Sequence, residues 1–341
     1  GRFDFRRQNA DLDARYQLLA PVALTVGTGW EHWDRNSHRE VPETDEFFGK
    51  LAVDVTPADW LLVRTSYRPS FRRINEYNTR AHAAHVVEED PAAALQGQSI
   101  LLRKFDEAER DRQRVDMEWQ ITPWDTLTIT PSASYRYDDY IASVLGLQQE
   151  VSWSLGIDVG WTPNRRLSVS GGYVHEVNEQ KMRSRSRPVT GATTFDFADF
   201  EWISFMADTV DTMHTGVNVA LIPGVLDWVA GVNYATATGR IETRNPVAPA
   251  SGTAAQRASA TAKPMPAVED SLLRLDVALK YHFWKSWTAT LGYAFESFQK
   301  EDWRTDTLRP FVPGVTSIFL GNDARNYDAH IVGVTLGYRF R

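Results

Sequence analysis

The sequence predicts an antiparallel transmembrane β-barrel, and three observations carry that prediction. Side chains alternate apolar and polar with a period of two over segments of about ten residues. No apolar run approaches the ~20 residues that a spanning helix needs, yet 12 Trp, 12 Tyr and 16 Phe accompany a negative mean hydropathy. Short, mostly proline-marked turns alternate with long polar connections. In a barrel wall only every second residue meets lipid, so mean hydropathy stays low while amphipathic aromatics gather at the interfaces.

In chain order, Leu12, Ala14 and Tyr16 alternate with Asp11, Asp13 and Arg15, the first strand. Thr56-Pro57-Ala58-Asp59 reads as a short turn, because proline lacks the N–H that a ladder requires. Val115, Met117, Trp119 and Ile121 then oppose Asp116, Glu118 and Gln120, and Thr122-Pro123-Trp124-Asp125 closes that strand. Val151–Trp161 is the clearest: Val151, Trp153, Leu155, Ile157, Val159 and Trp161 on one face, Ser152, Ser154, Gly156, Asp158 and Gly160 on the other. Its length matches the ~9–11 residues of a tilted membrane strand. Thr162-Pro163-Asn164-Arg165 and Ile222-Pro223-Gly224-Val225 are the next short turns. Leu273, Leu275, Val277, Leu279, Tyr281 and Phe283 oppose Arg274, Asp276, Ala278, Lys280 and His282; a turn at His282-Phe283-Trp284-Lys285 follows. Trp287, Ala289, Leu291, Tyr293 and Phe295 then oppose Thr288, Thr290, Gly292, Ala294 and Glu296. The last strand sets Val332, Val334, Leu336, Tyr338 and Phe340 against Gly333, Thr335, Gly337 and Arg339, and its end resembles the C-terminal signature read by outer-membrane assembly machinery.

Long connections are expected near 74–105, 138–148, 186–207, 246–269 and 304–327. Short turns on one side and long loops on the other is the outer-membrane arrangement, with the short turns periplasmic. A soluble sandwich also alternates, but its strands average nearer ~5–6 residues. The 341 residues therefore read as a single barrel domain, 1–341, with about 12–14 strands. The chain opens at Gly1 with no signal peptide and begins on the long-loop side. Closed bacterial barrels have even strand numbers and a periplasmic N-terminus, so upstream strands are expected and the chain reads as the C-terminal portion of a larger barrel.

Two aromatic girdles are expected. Trp60, Trp119, Trp124, Trp161, Trp228, Trp284 and Trp287 cluster near the short turns; Trp30, Tyr67, Tyr135, Trp153, Tyr173, Tyr234 and Tyr293 lie toward the far ends. The lumen-facing candidates are Lys50, Asp54, Arg64, Arg68, Asp116, Glu118, Asp158, Asp227, Arg274, Asp276, Lys280 and Glu296. Both signs occur, whereas a selective pore concentrates one sign at a constriction. Periodicity alone leaves open whether this interior lines water or grips a polar plug.

Other chemistry is thin. A net charge of −7 argues against nucleic acid, which demands clustered Lys and Arg. With no cysteine there is no disulfide, thiolate site or covalent haem attachment on this chain. His82 and His85 sit in an Ala-rich loop without a third ligand. Acidic runs at Glu43–Glu46 and Lys104–Asp116 offer oxygens for loop Ca²⁺, but charged strand extensions explain them equally well. Ser170 and His175 fall on opposite strand faces, and no other catalytic set emerges, so no enzyme is expected.

Several segments carry a family resemblance: Gly29-Trp30-Glu31-His32-Trp33-Asp34-Arg35, Arg39 through Glu46, Asp59 through Tyr67, Arg103 through Ala108, Asp208-Thr209-Val210-Asp211-Thr212, Ala237 through Ile241, Asp302-Trp303-Arg304, Leu308 through Phe311, and Ile318 through Asp323 before Tyr327-Asp328-Ala329-His330. In this order they resemble the MtrB/PioB family of outer-membrane barrels associated with decahaem cytochromes. The resemblance covers nearly the whole chain. It implies a large barrel sheathing a periplasmic multihaem c-type cytochrome in its lumen. A further extracellular multihaem cytochrome would sit on the loops, and electrons would cross haem to haem. Haem would belong to the partner, with no cofactor on this chain. The competing expectation is a porin or substrate-selective channel that needs no cytochrome.

Overall fold

The computed structural model describes residues 4–36, 39–79, 81, 99–190, 193–284, 286–303 and 326–340. Alternating sequence becomes extended backbone almost throughout. The strands are β1 (Phe5–Leu19), β2 (Val22–Arg35), β3 (Glu43–Ala58), β4 (Leu61–Tyr67), β5 (Ser70–Ile74), β6 (Leu102–Arg103), β7 (Arg110–Trp124), β8 (Leu127–Asp139) and β9 (Leu145–Asn164). They continue as β10 (Leu167–Arg185), β11 (Val189–Thr190), β12 (Thr193–Thr194), β13 (Glu201–Ile222), β14 (Leu226–Arg244), β15 (Val268–Phe283), β16 (Trp287–Glu301) and β17 (Tyr327–Tyr338). Among the described residues one short helix, α1 (Ala254–Ala260), starts at a Thr253/Gln256 capping box within a loop.

A 15-stranded sheet runs β1-β2-β3-β4-β7-β8-β9-β10-β13-β14-β15-β16-β17. Every pair along this path is antiparallel and joins sequence neighbours, apart from the inserted β5 and β6 and the separate β11–β12 hairpin between β10 and β13. β4 and β5 form one strand interrupted at Pro69, and β5 goes on to pair with β3 and β7. Gly146 (φ 109°) allows the short parallel contact of β6 with β9, for a Cβ there would lie 2.3 Å from the Arg103 carbonyl.

Three of the expected proline turns are built differently from the sequence expectation. Pro57, Pro123 and Pro163 lie inside β3, β7 and β9, each at a register shift close to the strand end, and the turns come after them. In each case the threonine before the proline donates its N–H to the neighbouring turn: Thr56 to Pro21, Thr122 to Trp60 and Thr162 to Thr126, all at 2.7 Å. The repeated Thr-Pro thus ties consecutive turns into a rim, and proline's missing donor falls where no partner is needed. Ile222–Leu226 turns through Gly224 at φ 75°, and Trp284 adopts φ 49° in the β15–β16 turn.

Strand ends rise further beyond the apolar band than expected. β13 begins at Glu201 inside the loop expected over 186–207, so Asp208–Thr212 lies mid-strand, and the 138–148 connection shrinks to 140–144. Beyond the bilayer both faces are polar, so the alternation that marks a strand fades there. The expected loop over 304–327, and His82 and His85, lie almost wholly outside the described residues.

Candidate functional site: the polar face of the wall

Register fixes the faces. Starting from Leu51, the partners across successive strands are Tyr67, Val115, Tyr135, Trp153 and Val177, and the parity continues through Met213 and Tyr234 to Leu273. This is the apolar face, and its side chains are open to the surroundings: Leu155 is 55% exposed and Val334 77% exposed. In a bilayer that face must meet lipid, since the same area in water would be a very large apolar patch.

The aromatics named from sequence take positions on or beside this face. Trp119, Trp124, Trp161, Trp228 and Trp287 lie toward the short turns, with Trp60 in the turn itself; Tyr67, Tyr135, Tyr173, Tyr234 and Tyr293 lie higher on the strands. At the β15–β17 rim the rings touch in series: Tyr281–Phe283 at 5.7 Å, Phe283–Trp287 at 6.2 Å, Trp287–Tyr338 at 4.9 Å and Tyr338–Phe340 at 4.8 Å.

The opposite face holds the charged residues, largely engaged with one another. Lys50 reaches Asp13 at 2.8 Å. Asp54 receives Arg15 at 2.8 Å and Arg64 at 3.7 Å, and Arg64 extends to Glu118 at 3.6 Å, linking strands from β1 to β7. Asp116 is held by Arg114 at 2.9 Å. Arg68 lies over the Phe48 ring at 4.0 Å. Asp158 lies 3.3 Å from His214, and Asp227 lies 3.0 Å from His282. Arg274 binds Asp276 at 2.8 Å and Glu296 at 3.2 Å, and Tyr327 donates its hydroxyl to Glu296 at 2.7 Å. Lys280 stands directly opposite Asp227 in the β14–β15 ladder. Periodicity placed these residues on one face but could not pair them, because pairing depends on register. Asp13, Arg15, Arg114, His214 and His282 are the partners it missed.

Toward the long-loop end the same face carries a packed ionic knot. Glu46 receives Arg110 at 2.7 and 3.0 Å and the Ser70 hydroxyl at 2.7 Å. Burial pushes the Glu46 carboxyl up, but Arg110 and Ser70 outweigh it and leave it below the usual range. Arg112 makes a two-pronged contact with fully buried Asp138 at 2.6 and 2.7 Å. Arg72 donates to the carbonyls of Phe105, Asp106 and Ala108; burial and neighbouring Arg110 pull it down to about 10. Arg39 bridges Asp106 and Glu107. Burial, with Glu40 and Asp106 close by, holds Glu107 above the usual carboxylate range. A cavity of about 500 Å³ opens beside the knot, lined by Arg35, Arg39, Arg72 and Arg110 together with Glu31 and Glu46. The acidic runs considered for Ca²⁺ are thus largely taken up by arginines, and among the described residues no three His, Asp or Glu side chains converge as a metal site would require.

The apolar face also carries two groups that sequence reading overlooked. Tyr173 donates its hydroxyl to Asp211 at 2.5 Å, with His175 Nδ1 at 2.8 Å from the same oxygen. Trp30 Nε1 donates to Asp45 at 2.8 Å, with His32 Nδ1 at 2.9 Å. Each is an aromatic, a histidine two residues on, and an aspartate directly across the ladder. The repeated aromatic-x-His spacing was the available signal. Ser170 faces away from His175, as strand parity requires.

A one-layer antiparallel wall with one apolar and one charged face, short turns at one rim and long loops at the other, is an outer-membrane β-barrel. Solved structures share this fold: a copper transporter, OprC, at TM-score 0.55 and 14% identity, over 99% of this chain and 51% of that one. The ferric-catecholate import receptor Fiu from E. coli K12, open form, matches at 0.54 and 9%, over 87% and 54%. More specifically, the MtrB/PioB outer membrane beta-barrel porin model matches residues 1–340, and the chain belongs to that family. Outer membrane protein MtrB from Shewanella baltica (strain OS185) is 20% identical over 340 residues, covering 99% of this chain. The chain spans 43% of that relative's length.

Proposed function

We propose that this chain forms part of a sleeve through which a periplasmic multihaem c-type cytochrome crosses the outer membrane, giving electrons a path between periplasm and exterior. Family membership over residues 1–340 carries the proposal. The wall's chemistry agrees with it. Lipid cannot supply the polar contacts that a haem protein's surface requires, whereas a barrel satisfies its own backbone and offers a polar face inside. With no cysteine in the chain, covalently bound haem would come from the partner. The long-loop end, with its ionic knot and with α1, would be the seat of a second, extracellular multihaem cytochrome.

The family's description as a porin supports the second reading, a channel open to solutes. Affinity purification of the whole protein from detergent-solubilised outer membranes separates the two. The sleeve reading expects a haem-staining partner in near-stoichiometric amount and little ion conductance from the assembled complex. Recovery of a haem-free barrel that conducts ions would favour the channel.

A further inference from the structure

The charged side chains of the luminal face are largely bonded to one another before any partner arrives. Arg64–Glu118 and Arg274–Glu296 join adjacent strands, while Lys50–Asp13 and Arg15–Asp54 reach from β3 to β1 over β2, and Asp158 contacts His214 over β10. Several of these groups also lie flat against the sheet. A Cβ on Gly27 would fall 1.9 Å from Asp13 Oδ1, and one on Gly172 would fall 2.4 Å from Asp158 Oδ1 and 2.5 Å from His214 Cε1. The glycines leave room for charged groups to lie along the wall instead of projecting from it. Across β13 to β17 much of the face is built from small neutral residues. A depression of about 510 Å³ spanning β13 to β17 is floored by Gly216, Gly231, Gly292 and Gly333, and its one charged group, Asp276, is already held by Arg274.

We infer that the wall formed by this chain holds its luminal partner by shape and neutral hydrogen bonds, not by ion pairs, so that the matching partner surface is a polypeptide rich in hydroxyl, amide and backbone groups. The inference rests on the sleeve reading and specifies the chemistry of that contact. A partner carboxylate or ammonium approaching Asp54 or Arg274 would have to displace a bridge already made, gaining one pair and losing another. The exchange is nearly neutral, and specificity falls to contour and uncharged donors and acceptors. Asp11, Arg68, Glu176, Asp208, Asp270 and Lys280 make no ion pair among the described residues and leave residual charge of both signs, mostly negative, spread along the face.

The test measures dissociation of the intact detergent-purified barrel–cytochrome complex as NaCl is raised from about 0.05 to about 0.5 M, where charge–charge contacts at an exposed interface are strongly screened. The expected change in Kd is less than about threefold. Weakening by more than about tenfold would overturn the inference while leaving the sleeve reading intact. If no haem protein is bound at the lowest salt, the sleeve reading itself fails and the inference falls with it. A second arm uses Arg274→Gln, which frees Asp276 and Glu296. The complex of this variant should become salt-dependent where the parent complex is not. An unchanged salt response in the variant counts against the pre-formed bridges being what suppresses it.

Discussion

Leu291 lies on the apolar face of β16, between Leu279 and Val334 in the flanking ladders, four residues above Trp287 and two below Tyr293. At ~3.3 Å per residue and ~40° of tilt it sits roughly 10 Å above the short-turn rim, near the middle of an apolar band ~25 Å tall. Leu291→Arg places a guanidinium there, and such substitutions at mid-depth cost about 2–4 kcal/mol, a shift of roughly thirty- to nine-hundred-fold in the folding equilibrium. The adjacent Gly292 faces the other way, and a Cβ there meets only the Gly333 carbonyl, at 3.9 Å. Gly292→Arg should therefore cost less than about 1 kcal/mol, because its charge reaches water in the lumen. Denaturant unfolding from lipid vesicles, followed by tryptophan fluorescence, gives both values. Equal costs, or a larger cost at 292, would refute the assignment of faces.

Other consequences are open to measurement. Arg110→Met leaves half-buried Glu46 without its main ionic partner and should cost about 1–3 kcal/mol locally, seen as faster proteolysis within residues 99–109 at unchanged barrel content. Glu46 sits below its ordinary range in the fold, so its contribution is present above the unfolded value of ~4.3 and is lost as pH falls through the folded one. Amide protection factors near Arg110, taken relative to the intrinsic exchange rate at each pH, should fall on acidification below about pH 4.3, and protection that stays flat to pH 3 would contradict this. Gly172→Val should cost about 1–3 kcal/mol by overpacking against Asp158 and His214; a thermal midpoint equal to the parent's would show that the pair is not seated there.

Much of the wall was legible in the sequence because a membrane strand imposes two independent signals, period two and aromatic position, on the same residues. Val151–Trp161 and Leu273–Phe283 show both. Where one signal lapses the reading slipped. Above the bilayer β13 carries Glu201, Ser204 and Asp208 among its hydrophobics, so its first residues read as loop. The Thr-Pro steps read as turns because proline's missing donor was legible while the rim of threonine N–H bonds was not. Of the candidate site, the face of each charge followed from parity, but partners such as Arg15 for Asp54, or Arg110 for Glu46, depend on register across strands far apart in sequence. Asp45 and Asp211 on the apolar face run against the pattern, and only three-dimensional contact with Trp30, His32, Tyr173 and His175 explains their place.

The central claim is that alternate residues of each strand meet lipid and lumen, and the absence of cysteine makes it directly measurable. Single cysteines placed in turn at positions 287 to 296, in the protein reconstituted in vesicles, can be reacted with a membrane-impermeant thiol reagent and probed with a lipid-phase quencher. Labelling by the aqueous reagent should peak at 288, 290, 292, 294 and 296, and quenching at 287, 289, 291, 293 and 295. A smooth profile without that alternation, or one with a period near 3.6, would contradict the account.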